Sequence, residues 1–127
     1  MSSPEIYIIS DSADSIDHMI FENIDTSEGP YFTIKEVAGF FFGRSTYWLR
    51  FHERLGNLVL NGESVGSKRT EANHRVYDLK DIEFVAYALL KNGVLNLRQF
   101  RLSLASLRIQ GQIWNLLPGE ITGIPNF

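Results

Sequence analysis

The chain has 127 residues, 44% of them hydrophobic, and a formal net charge of −3. That length fits one domain with a modest core, or a smaller domain with tails. With no cysteine it has no disulfide frame and no thiolate metal site, and its longest apolar run, Phe84 to Leu90, is too short to span a bilayer. Met1-Ser-Ser-Pro followed by acids has neither the positive nor the apolar part of a signal peptide. The expectation is an intracellular, cytoplasmic protein with no membrane partner. The charge is uneven: residues 1–31 hold seven acids and no Lys or Arg, while 32–127 hold all twelve Lys and Arg against eight acids, a surplus of four.

Residues 1–31 read as an acidic N-terminal extension. Glu5 to Ile9 is a short β-like run, and Ile16, Met19, Ile20 and Ile24 have a weak helical spacing. Thr26 to Pro30 is a loop signal and a boundary. The isoleucines favour packing against the domain C-terminal to them. The acids raise the alternative that this arm competes with a polyanion for the basic surface.

Thr33 and Glu36 have the spacing of a capping box, and Ile34, Val37, Ala38 and Phe41 then mark one apolar helical face. Gly43 breaks that run, and Ser45 is placed to cap a second helix carrying Trp48, Leu49, Arg50, Phe51 and His52. Two short helices joined by a Gly-containing turn predict helix-turn-helix, whose second helix lies in the DNA major groove. Thr46, Tyr47, Arg50 and Arg54 share one face of that helix, with Trp48, Leu49 and His52 on another that packs inward. Arg bonds a guanine edge or a phosphate as a charged fork. The competing expectation for Arg50 is an ion pair with Glu53 three residues on.

Leu55 to Leu60 leads into a strand, and Asn61-Gly62 is a turn signal. The polar stretch Glu63 to Asn73 does not read as its immediate partner, so the returning strand is placed at His74 to Tyr77. Together these predict one long hairpin, a wing with Lys68 and Arg69 near its tip. Those two residues read equally as part of an ordinary surface loop. From Arg44 to Arg75 there are six basic residues against three acids, as phosphate binding requires.

Asp78, with Asp81 three residues on, is expected to cap a third helix with the apolar stripe Leu79, Ile82, Val85, Ala86, Leu89 and Leu90, stopped at Asn92-Gly93. Asn96 caps a fourth, from Leu97 to about Gln110. Leu97, Phe100, Leu104 and Leu107 form one apolar face of it; Leu102, Ala105, Ile109 and Ile113 form another. A helix apolar on two sides needs two partners, the second being the N-terminal segment, the tail at 118–127 or another subunit.

The block Phe32 to Ala38, then Gly43 with Ser45, then Leu49-Arg50-Phe51-His52-Glu53, resembles the N-terminal DNA-binding domain of the MerR family, and Arg75, Tyr77 and Asp78 resemble its returning wing strand and helix cap. His52 stands where that family prefers an aromatic ring and Arg44 where it prefers Val. The resemblance implies a mainly α (α+β) winged helix-turn-helix over 32–117 that binds double-stranded DNA through Arg44, Ser45, Thr46, Tyr47, Arg50, Arg54, Lys68, Arg69 and Arg75. Metal- and redox-sensing members commonly use cysteines, which this chain lacks. The family's long coiled coil and effector-binding domain have no counterpart here. The function implied is that of a transcriptional regulator without a ligand-sensing domain, self-associating through the C-terminal helix as a dimer or head-to-tail array. A phage-type excisionase or terminase-like architectural factor is the alternative within the same fold. A winged domain that binds protein instead of DNA is the alternative outside it.

No enzyme chemistry is indicated. His18, His52 and His74 are far apart, the stretch Gly62 to Lys68 lacks Walker spacing, and no GxSxG elbow occurs. Catalytic residues, metal and cofactor are all read as none.

Overall fold

The computed structural model describes residues 19–119. The β-like run at 5–9 and the last eight residues of the tail lie outside the described residues. Within them the protein is mixed α+β, with four helical segments and two small antiparallel sheets. The order is α1 (Ile34–Glu36) running into a π-helix (Val37–Phe41), α2 (Thr46–Arg54), β1 (Val59–Leu60), β2 (Glu63–Ser64), β3 (Lys68–Arg69), β4 (Arg75–Val76), α3 (Leu79–Lys91) and α4 (Leu97–Ile113).

Local chemistry starts each helix. The Thr33 hydroxyl accepts from the Glu36 N–H at 3.2 Å while the Glu36 carboxylate accepts from the Thr33 N–H at 2.8 Å. The same reciprocal box opens α3 through Asp78 and Asp81, and α4 through Asn96 and Gln99. Ser45 caps α2 by accepting from the Trp48 N–H at 3.1 Å. The first helix differs from a regular α-helix in its second half. From Val37 to Phe41 it widens to a π-helix that buries Val37, Ala38 and Phe41. Phe41 ends the helix, where carbonyls lack an intrahelical partner, and the buried Ser103 hydroxyl of α4 donates to its carbonyl at 2.7 Å. The chain then turns through Gly43 at φ 63° into the Ser45 cap.

Helix α3 is the centre of the molecule. All six residues of its expected stripe are buried, and so are Glu83, Tyr87 and Ala88. It packs against α4 and β1. The core around it gathers Phe21, Phe32, Val37, Phe41, Leu49, Leu58, Tyr77 and Leu107. An antiparallel bridge between Phe32 and Tyr77 ties the start of α1 to the end of β4.

Two expectations need correction. The segment expected to form a wing is not one long hairpin. Asn61 and Gly62, at φ 53° and 83°, form a two-residue turn that pairs β1 directly with β2, and a separate hairpin then pairs β3 with β4. Residues Ile20 to Asn23 form turns, not the helix their spacing predicts. Met19 and Phe21 are buried, and both oxygens of the buried Glu83 carboxylate accept backbone N–H groups there, from Ile20 at 2.6 Å and Phe21 at 3.0 Å. This part of the acidic segment is therefore packed on the domain.

Helix α4 runs three residues past the expected Gln110. Leu97, Phe100 and Leu107 are buried as anticipated, whereas Leu102 is 62% and Ile113 48% exposed. Its second apolar face is thus partly uncovered within the described residues.

Candidate nucleic-acid interface

The N-cap at Ser45 sets the rotation of α2 and divides it into two sides. Inward, Leu49 is buried and Trp48 and His52 are half-buried. The indole packs against Phe42, ring centroids 6.0 Å apart, and edge-on against His52 at 5.0 Å. His52 therefore fills the place of an aromatic ring. Its Nδ1 faces the Asn57 amide nitrogen at 3.0 Å, which requires a neutral imidazole accepting there. Burial, helped by the field of Arg44, holds its pKa below the ordinary imidazole value.

Outward, Tyr47, Arg50, Phe51, Arg54 and Leu55 are exposed, while Thr46 is half-buried. The Tyr47 and Phe51 rings stack with centroids 6.1 Å apart, and the Arg54 guanidinium lies 5.8 Å from the Tyr47 ring centre. Arg44, in the turn before α2, lies 5.4 Å over the Trp48 ring.

The one acid of α2, Glu53, does not pair with Arg50. Its two carboxylate oxygens are held by Arg75 Nη2 at 2.8 and 2.7 Å, and Arg75 Nε also donates to Ser67 Oγ at 3.1 Å. Arg75 thereby clamps the second hairpin to the end of α2, with only 18% of its side chain exposed. Lys68 makes the second clamp, its Nζ 2.7 Å from Asp81 and 3.0 Å from Asp78 at the head of α3. Burial pulls the Lys68 pKa down, but the two carboxylates win and hold it above the ordinary lysine value. Arg69 is exposed and bonds the Asn73 carbonyl across the hairpin loop at 3.1 Å.

The nine residues singled out from the sequence thus fall into three groups. Arg44, Tyr47, Arg50 and Arg54 lie open on or beside the outer face of α2, and the three arginines make no ion pair among the described residues. Ser45 and Thr46 lie at the helix start. Lys68 and Arg75 are committed to carboxylates, with Arg69 next to Lys68 at the end of β3. Sequence reasoning passed over Phe51 and Leu55 as members of the outer face, although they lie at i+4 and i+8 from Tyr47, so the helical period itself carried that signal.

Among the described residues no group of three His, Asp or Glu side chains is disposed to hold a metal ion, and no helix is long and apolar enough to cross a membrane. The chain has no significant match among protein-family models, curated proteins or solved structures.

Proposed function

We propose that the chain is a sequence-specific double-stranded DNA-binding protein of the winged helix-turn-helix type, a transcriptional regulator without a ligand-sensing domain. The observation that carries this reading is the charge of α2. Arg44, Arg50 and Arg54 face outward while the helix's only carboxylate is neutralised by Arg75. A polyanion approaching that face meets guanidinium groups and no uncompensated acid. In this reading α2 enters the major groove, Arg50 and Arg54 bond base edges or phosphates, and Ser45, Thr46 and Tyr47 reach the backbone or bases at the helix start. Arg69 meets phosphate from the end of β3. Lys68 and Arg75 fix the hairpin in place and touch DNA less.

The partly uncovered face of α4, with Leu102 and Ile113, is the surface through which copies associate as a dimer or array. The same exposed side chains, with Phe40 at 68%, favour a second reading in which the domain binds protein and not DNA.

A salt titration of duplex binding separates the two. DNA binding through this face gives an affinity that falls with a log–log slope of about −0.9 for each phosphate neutralised. Arg50→Ala is expected to weaken binding by about 1–3 kcal/mol where it bonds a base, with relaxed specificity at that position. A folded Arg50→Ala, Arg54→Ala protein that binds duplexes like the parent overturns the assignment. Footprints on promoters support a regulator, and footprints on attachment or packaging sites an architectural factor.

A further inference from the structure

Phosphate binding explains the arginines of α2 but not the apolar groups between them. Tyr47, Phe51 and Leu55 fall at i, i+4 and i+8 and are 68, 38 and 58% exposed. They form a continuous stripe along the outer face, with the two rings stacked on each other. Arg50 and Arg54 interleave with them at i+3 and i+7. A helix whose only duty is to meet phosphates gains nothing by keeping two aromatic rings and a leucine in water.

We infer that this stripe reads the C5-methyl groups of thymine in the major groove, so that the protein prefers A·T-rich duplexes; the inference rests on the DNA-binding reading above. In the major groove only thymine offers an apolar group, and apolar side chains are its natural contacts. The placement of the arginines suits this division of labour. The guanidinium of Arg54 lies over the Tyr47 ring, 5.8 Å from its centre, so a cation accompanies the stripe and can meet a phosphate while the apolar groups meet bases. The stripe itself carries no hydrogen-bond acceptor apart from the Tyr47 hydroxyl and no donor besides it, so it has little to offer a guanine or cytosine edge. Charge separates this occupant from an apolar groove on a protein: the interleaved cations, without a free acid among them, suit a polyanion.

The test compares binding to a short alternating d(A-T) duplex with binding to the same duplex carrying deoxyuridine in place of every thymidine, which deletes the methyl and leaves the hydrogen-bonding edges in place. The expected result is tighter binding to the thymidine duplex, by about three- to fivefold for each methyl buried. Phe51→Ala and, separately, Tyr47→Ala bring that ratio close to one. Arg50→Ala weakens both duplexes alike and leaves the ratio standing. Tyr47 projects mostly into solvent, so its truncation is a safe second variant should Phe51→Ala unfold. Equal affinity of the parent for the two duplexes overturns the inference while leaving DNA binding intact. So does a thymidine preference that survives in both aromatic variants. Failure to bind either duplex at low salt overturns the DNA reading itself, and this inference with it.

Discussion

Arg44 and His52 meet through the Trp48 ring, and their electrostatics are coupled. The imidazole is half-buried between Trp48 and Phe51, accepts from Asn57, and has the Arg44 charge nearby. Each of these favours the neutral ring. Because its pKa in the folded state is depressed, protonation is easier in the unfolded chain, and stability declines as pH falls through the ordinary imidazole range. A proton NMR titration is expected to place His52 below that range, and Arg44→Ala to move it upward; no movement would mean that burial alone sets it. Two glycines make a second pair of residue-scale predictions. A Cβ at Gly39 meets nothing within 4 Å, and its φ is not in the left-handed region. Gly39→Ala is expected to stabilise by about 0.5–1 kcal/mol. A Cβ at Gly111 lands 2.6 Å from Leu117 Cδ1 and 3.0 Å from the buried Phe21 ring. Overpacking of about 1–3 kcal/mol there outweighs the roughly 1 kcal/mol of helix propensity that alanine restores. Thermal melts of the two variants should move in opposite directions.

At the scale of elements, what could be read from the sequence was what is local. The Thr33, Ser45, Asp78 and Asn96 caps lie within three residues of the groups they satisfy, and all four are formed. Other features depend on distant partners or leave no periodic trace. The π-widening at Val37 to Phe41 keeps the buried positions at Val37, Ala38 and Phe41, so the pattern of apolar residues does not distinguish it from an α-helix. The Asn61-Gly62 turn was visible, but β2 is two exposed polar residues with no alternation to betray a strand. The Arg75–Glu53 clamp joins residues 22 apart in the chain, and it takes up the carboxylate that the competing expectation gave to Arg50. Caps differ in worth by their surroundings, which makes a prediction. Asp78 is 2% exposed, caps α3 at the centre of the core and anchors Lys68, whereas Thr33 is exposed and caps the shorter segment that ends at Phe41. Asp78→Ala is expected to cost about 1–2 kcal/mol or more, and Thr33→Ala about half as much. Urea midpoints that coincide for the two variants would show that burial and Lys68 add nothing to the cap.

For the whole molecule the deciding group is Glu83, which joins the acidic N-terminal part of the chain to its central helix. Sequence periodicity places it on a core helix, but only the backbone of Ile20 and Phe21, more than sixty residues away, explains a carboxylate there. Burial pushes its pKa above the ordinary carboxylate range, more than the two N–H bonds and the charges of Arg108 and Lys80 pull it down. In the unfolded chain the same group ionises at its ordinary value. As pH rises from that value to the folded-state pKa, the unfolded form gives up its proton first, and stability falls across that window and then levels. Glu83→Gln removes the titration, so its urea midpoint should lack this decline. It should also be less stable near neutral pH by about 1–3 kcal/mol, because an amide offers one acceptor oxygen to two N–H groups and sets its own donor against the other. Loss of that contact should fall first on Met19 to Phe21, seen as faster hydrogen exchange at the Ile20 and Phe21 amides than in the parent. A Glu83→Gln protein that keeps the parent's pH slope and the parent's protection at those two amides would place the tie between the acidic segment and the core elsewhere than in this carboxylate.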